Sequence, residues 1–444
     1  MAAARYENRS LTPVTTITFT TTSFTTVTFT TVTFTTITIM RFYSALSVAV
    51  LAVSHLVRAD DPENTTTASS SQSNVILPAQ LGPYPVSIYD HEVKTSRPDP
   101  LAPTKQLRRL MVTVYRPFLD NFTCPLEDQS QVPYIPPVVA EALLGTLLSS
   151  PNESSILDPV KLINCSRPVP SSSPSGPLLL FSPGYGGIRG GYASILLAAA
   201  SSGYTVIAID HTYESAAVVF PDGDVEYPSN VTITYDNSTS GQNFLQSVRI
   251  ADSVSILDAV ERGDVPGLGS YPSNSSTPLS AIMYGHSFGG STAVNVAASD
   301  ARVLAGANID GPYYDPVANG TVSKPVFMMQ SAEMPPIAAD WPSFYVNHAL
   351  GWKSWVRPNN TVHYGYTDLP LLADLLGLRG TAMPLELTGT VDSRRLQEII
   401  WRYTTEFFAS VLSNGSATTD LLDRPSAEFP DVEFVGHGEA GTGQ

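Results

Sequence analysis

Only two cysteines, Cys124 and Cys165, occur in the 444 residues, and no cluster of Cys and His has metal-ligand spacing. A structural zinc site therefore has no support. Positive charge is also scarce: 24 Lys and Arg face 40 Asp and Glu, a formal net charge of -16. Such a surface repels polyanions at long range, so nucleic acid is not an expected partner. The most apolar run, residues 45–53, is too short for a bilayer span, which needs roughly 20 residues. With 43% hydrophobic and 14% charged residues, the chain has the composition of a globular protein with a large core.

The beginning of the chain is unusual. Residues 1–39 repeat threonine, phenylalanine and β-branched residues ("TTITFTTTSFTTVTFTTVTFTTITI") and read as a low-complexity leader, with Met40 as the natural start. Residues 40–59 have the parts of a secretory signal peptide: Arg41, the apolar run, and Val57-Arg58-Ala59 as a small-residue cleavage site. Export agrees with the Asn-x-Ser/Thr sequons at Asn64, Asn121, Asn152, Asn164, Asn230, Asn237, Asn274, Asn319, Asn359 and Asn414, which predict a secreted, extracellular glycoprotein. In an oxidising compartment the isolated pair Cys124 and Cys165 most simply forms one disulfide. Residues 60–79, rich in Ser, Thr and Asn, read as a flexible linker, 80–436 as the folded domain, and 437–444 as a Gly-rich disordered tail.

The domain opens with "LGPYPVSIYDHEV" and "RRLMVTVYRPF", two alternating stretches that predict an N-terminal hairpin. Between the cysteines, "PPVVAEALLGTLL" is helical and flanked by Pro and Ser clusters, an insertion stapled to the core. Strand-like runs then alternate with helical stretches: "PLLLFSPG", "YASILLAAASSG", "YTVIAIDH", "NFLQSVRIADSVSILDAVERG", "LSAIMYG", "GGSTAVNVAAS", "VLAGANID" and "KPVFMMQSAE". This order predicts an α/β fold with a mostly parallel central sheet flanked by helices, whose active site lies at the carboxyl ends of the strands.

At one such end, Gly285-His286-Ser287-Phe288-Gly289 matches GxSxG between a buried strand and a small-residue helix. A sharp strand-to-helix turn exposes the Ser287 hydroxyl, and side chains at Gly285 or Gly289 would collide with neighbouring backbone. A serine needs a histidine base and an acid to orient it, in the chain order Ser, acid, His. Among the later histidines, His437 lies in the Gly-rich tail and His348 in an expected crossover helix, so His363 in "NNTVHYGYTDLP" is best positioned. Asp310 in "NIDGPYY" and Glu333 in "MQSAEMPP" both end strands, and spacing leaves the choice of acid open; Asp315 and Asp368 are more simply loop or cap carboxylates. The oxyanion hole would use the Phe288 amide and one from the loop "FSPGYGGIRGG", with Tyr185 as the candidate. That loop satisfies neither GxxxxGK[ST] nor GxGxxG, so a nucleotide site is a poor rival.

With these residues in place, the sequence resembles the plasma-type platelet-activating factor acetylhydrolases and their fungal relatives, along "GPYPV", "RRLMVTVYRPF", "LLLFSPGYGGIRGGYASILLAAASSGYTVIAIDHTYESAA", "GHSFGGSTA", "NIDGPYY" and "HYGYTDLP". The resemblance implies an α/β-hydrolase fold and a serine esterase that removes short acyl groups from phospholipids or related esters, without metal or organic cofactor; a cutinase-like or general carboxylesterase, and a non-catalytic binding module on the same fold, are the other readings. It also assigns Asp310 in preference to Glu333, with His363 as base. The chain departs from the family pattern at Pro183, where a histidine is common, and at Pro312 and Tyr313, near which the family has a Trp. Two apolar stretches, "DWPSFYVNHALGWKSW" and "YTDLPLLADLLGLRG", are expected to be core or lid, with transient contact at a membrane or lipoprotein surface as their other reading.

Overall fold

The run "LLLFS" shows why these strands carry no polar alternation. In Leu178–Ser182 every residue is buried, and successive side chains enter different cores: Leu179 and Phe181 join one cluster, Leu178 and Leu180 another. Thr205–Asp210 repeats this, with Val206 and Ala208 on one side and Ile207 and Ile209 on the other. A strand covered on both faces buries its whole side-chain set, which is why it reads as a continuous apolar run.

The computed structural model describes residues 73–119, 123–148, 155–167, 175–235, 238–268, 278–333, 340–413 and 420–439. The expectations for the leader, the signal segment and the sequons at Asn64, Asn121, Asn152, Asn237, Asn274 and Asn414 lie outside the described residues.

Among the described residues, nine strands form the main sheet: β1 (Val86–Pro98), β2 (Leu107–Pro117), β3 (Leu178–Ser182), β4 (Thr205–Asp210), β5 (Ala281–His286), β6 (Val303–Ile309), β7 (Val326–Met329), β8 (Lys353–Pro358) and β9 (Val432–Gly438). Their spatial order is β9-β8-β7-β6-β5-β3-β4-β2-β1. Pairings among β3 to β8 are parallel, while the hairpin β1–β2, the β2–β4 pair and the β8–β9 pair are antiparallel. One face is covered by α1 (Ala193–Ser201) and α4 (Ser393–Leu412), the other by α2 (Thr239–Arg262) and α3 (Phe288–Ser299). Helix α2 starts on Ser238, whose side chain accepts from the Gly241 N–H, and stops at Gly263 in the left-handed conformation (φ 76°).

Cys124 and Cys165 form a disulfide with a Cα–Cα distance of 6.0 Å. It closes a region containing the helix Pro137–Leu148 and two strands of a small sheet ordered Val75–Ile76, Val160–Cys165, Gln129–Pro133. The linker boundary at 79 is therefore corrected. Val75 and Ile76 pair in parallel with Val160 and Lys161, and Leu77 and Ala79 are buried, because a strand borrowed from the insertion supplies a partner that local composition does not reveal. The tail boundary is corrected as well: β9 runs to Gly438 and pairs His437 with Ser354, since main-chain pairing at a sheet edge tolerates glycine. Helix α4 is absent from the sequence-based expectations.

Candidate active site

Ser287 follows β5 at φ 55° and ψ -127°, outside the conformations that a serine ordinarily adopts. The glycines around it make that turn feasible. A Cβ on Gly285 would overlap the carbonyls of Gly289 and Ser182, and one on Gly289 those of Ser182 and Pro183. The turn is tied into the sheet by the Ser287 N–H, which donates to the Ile309 carbonyl at 2.8 Å. Helix α3 begins at Phe288, so its unpaired amide end faces the serine.

Ser287, His363 and, of the two candidate acids, Asp310 come together from three strand ends. His363 Nε2 lies 2.9 Å from Ser287 Oγ, and its Nδ1 lies 2.7 Å from Asp310 Oδ2. Asp310 follows β6, is fully buried, and also takes a φ of 54°, which a short polar side chain tolerates. Its other contacts are the Ser331 N–H at 2.7 Å and the Ser331 hydroxyl at 2.8 Å. The next residue, Gly311, admits no Cβ because one would overlap the Ser287 carbonyl, and its own carbonyl accepts from Trp341 Nε1 at 2.7 Å. Glu333, the alternative acid, is exposed and bonds through its main chain to the Thr361 carbonyl. The His363 ring is aligned by Asp310 instead. This arrangement of hydroxyl, imidazole and carboxylate can move a proton from serine to histidine while the carboxylate stabilises the imidazolium.

Tyr185 sits in a tight turn closed by the Gly187 N–H on the Gly184 carbonyl, 3.0 Å, with Gly186 at φ 69°. Its ring packs edge-on to Phe288, centroids 6.1 Å apart, and Phe288 meets Tyr314 in the same manner at 4.8 Å. Gly184 borders the serine directly, since a Cβ there would come within 3.3 Å of Ser287 Cβ. His286 points away from the hydroxyl into a buried chain. The Gly184 N–H donates to Tyr192 Oη at 3.0 Å, Tyr192 Oη lies 2.9 Å from His286 Nδ1, and His286 Nε2 lies 2.9 Å from the His363 carbonyl. Burial, reinforced by His363, holds the His286 pKa well below the usual histidine range.

Of the other candidates, His348 Nδ1 contacts the Gly320 carbonyl at 2.5 Å, and Asp315 binds Asn243 and Asn319; neither joins this cluster. Asp368 is buried and accepts from Tyr134 Oη at 2.9 Å and from the Ser194 N–H at 3.0 Å. Sequon residues Asn230, Asn319 and Asn359 are exposed, whereas the Asn164 amide is half-buried and accepts from the Ile88 N–H at 2.8 Å. The aromatic stretch is mainly core, with Trp341, Phe344 and Trp355 buried and Val346 and Leu350 exposed, while Leu369–Leu375 buries Leu369, Leu371 and Leu372. Sequence reasoning missed Ser331, Trp341, Tyr192 and Arg249, whose partners are remote in sequence and often main-chain groups.

A mostly parallel sheet carrying a serine elbow and a Ser-His-Asp chain at its carboxyl ends defines an α/β-hydrolase. Residues 69–246 match the family model described as platelet-activating factor acetylhydrolase, isoform II. The chain is 28% identical over 393 residues, 83% of its length and 96% of the relative's, to a probable 1-alkyl-2-acetylglycerophosphocholine esterase of Arthroderma benhamiae. It is 25% identical over 262 residues, 53% of its length and 57% of the relative's, to the platelet-activating factor acetylhydrolase of Cavia porcellus. Among solved structures it resembles a ferulic acid esterase from Streptomyces cinnamoneus, with a TM-score of 0.65 and 28% identity over 82% of this chain and 100% of that one. The chain is an ester hydrolase, similar to platelet-activating factor acetylhydrolases in sequence and to a ferulic acid esterase in structure.

Proposed function

We propose that the protein is a secreted serine esterase that removes short acyl groups from phospholipids of the platelet-activating factor type through an acyl-enzyme on Ser287. The reading is carried by one observation, the unbroken hydrogen-bond chain from Ser287 Oγ through His363 to Asp310. Ser287 attacks the ester carbonyl while His363 Nε2 takes its proton. Negative charge on the carbonyl oxygen is met by the amides of Phe288 and Tyr185, and Asp310 balances the imidazolium. His363 then gives the proton to the leaving alcohol, and the same groups activate water to release the acid. The acyl and head-group preference is taken from what the Arthroderma and Cavia relatives are named for.

A fluorophosphonate should label Ser287 in the folded protein, and Asp310→Asn should lower kcat by about 10,000-fold while Glu333→Gln leaves it within a few-fold. An unlabelled Ser287, or turnover lost only in Glu333→Gln, would reverse the assignment. A second reading is hydrolysis of esters of aromatic acids, favoured by the structural likeness to a ferulic acid esterase and by the aromatic wall of Tyr185, Phe288 and Tyr314. Comparing kcat/KM for an acetyl phospholipid, a long-acyl phospholipid, p-nitrophenyl esters of rising chain length and methyl ferulate separates the two. Preference for methyl ferulate over the acetyl phospholipid favours the second.

A further inference from the structure

The peptide unit between Gly184 and Tyr185 carries the Tyr185 N–H at one end and the Gly184 carbonyl at the other. A trans peptide is planar and its two polar groups point in opposite directions, so whatever grips the carbonyl aims the amide. The Gly184 carbonyl is gripped twice, by the Gly187 N–H at 3.0 Å and by Arg249 Nη2 at 3.1 Å. Arg249 Nη1 reaches the Pro183 carbonyl at 2.5 Å and the Ser182 hydroxyl at 3.1 Å. Its guanidinium carbon stands 4.9 Å from the centre of the Phe288 ring.

The guanidinium is itself fixed. Its Nε lies 2.8 and 3.0 Å from the two Glu214 oxygens, Nη2 also binds Glu214, and both side chains are buried. With these contacts all five guanidinium N–H groups have acceptors, leaving none for a substrate. Ser182 is anchored in turn: its hydroxyl lies 2.9 Å from His211 Nε2, and His211 Nδ1 lies 3.0 Å from Asp252 Oδ2, all fully buried. A buried ion pair gains little net stability over an apolar pair of the same volume. The core alone therefore does not account for an arginine here, whereas its acceptors besides Glu214 are the three consecutive residues that precede Tyr185.

We propose that Arg249 is a positioning residue for the oxyanion site, holding the Gly184–Tyr185 peptide so that its N–H faces the oxygen of the ester carbonyl whose carbon Ser287 attacks. This rests on the esterase reading above.

Two variants test it. Arg249→Lys keeps a charge beside Glu214 but lacks the planar fork; Arg249→Met with Glu214→Met removes the pair and leaves no lone buried charge. Activity is referred to sites titrated with fluorophosphonate. In both variants kcat on p-nitrophenyl acetate should fall about 10- to 100-fold with KM within about 3-fold, the range expected when an oxyanion donor is misaimed. Affinity for a trifluoromethyl ketone, whose adduct oxygen occupies the oxyanion site, should weaken in parallel with kcat. A folded variant with wild-type kcat and ketone affinity, or a loss confined to KM, overturns the proposal. Failure of both variants to fold assigns Arg249 to the core alone and overturns it too. A wild-type chain unlabelled at Ser287 removes the esterase reading and this one together, whereas normal labelling with unaffected variants removes only the role of Arg249.

Discussion

His286 adjoins the proposed nucleophile yet has its ring committed elsewhere, and the direction of every hydrogen bond around it follows from its partners. The His363 carbonyl only accepts, so His286 Nε2 carries the proton and Nδ1 accepts from the Tyr192 hydroxyl, which accepts in turn from the Gly184 N–H. The chain thus requires the neutral imidazole, which burial already favours. Tyr192→Phe keeps the ring but strips two buried groups of their partner, at about 1–3 kcal/mol each. Unfolding in urea should show a loss of about 2–6 kcal/mol, and a midpoint equal to that of the unaltered protein would mean that the hydroxyl is dispensable.

Among the elements, those buried on both faces were the most legible in the sequence. The runs that became β3 to β7, and the elbow between β5 and α3, announce themselves because an apolar run and a GxSxG turn are local signals. Helix α4 was also within reach, since Leu396, Ile399, Ile400, Tyr403 and Phe407 recur at helical spacing and all are buried. Strand β9 and the short strand Val75–Ile76 were not, because each depends on a partner remote in sequence. The same holds within the site: the residues supporting Asp310 and Gly184 act across the fold, and no spacing rule reports them. The disulfide belongs to the insertion element. Closing 41 residues, it constrains the unfolded chain by about 4 kcal/mol on chain-entropy grounds. Replacing Cys124 and Cys165 by serine should lower stability by about 2–4 kcal/mol in urea while leaving esterase activity at 25 °C close to normal. Equal stability with and without the bridge would show that the insertion is held by its packing alone.

Asp368 couples parts of the molecule that are far apart in the chain. Standing five residues beyond His363, it joins Tyr134 of the insertion and Ser194 at the start of α1 through its carboxyl, and its own N–H donates to the Gly191 carbonyl. Burial pushes its pKa up from 3.8 to about 6, the Ser194 and Tyr134 contacts only partly opposing the shift. The sign follows: a carboxyl whose folded pKa exceeds its unfolded one favours the fold below about 4, and that contribution disappears as pH rises through about 6. The shift corresponds to about 3 kcal/mol. Asp368→Asn, a neutral isostere of the protonated acid, should therefore gain on the unaltered protein as pH rises from about 4 to about 7, the difference between their urea stabilities moving by about 3 kcal/mol and levelling above 6. Because both proteins carry the same other titrating groups, the pH-dependent self-repulsion of a chain with formal charge -16 cancels in that difference. Parallel stability curves across this window would mean that Asp368 stays ionised within the fold, its charge fully met by Tyr134 and Ser194.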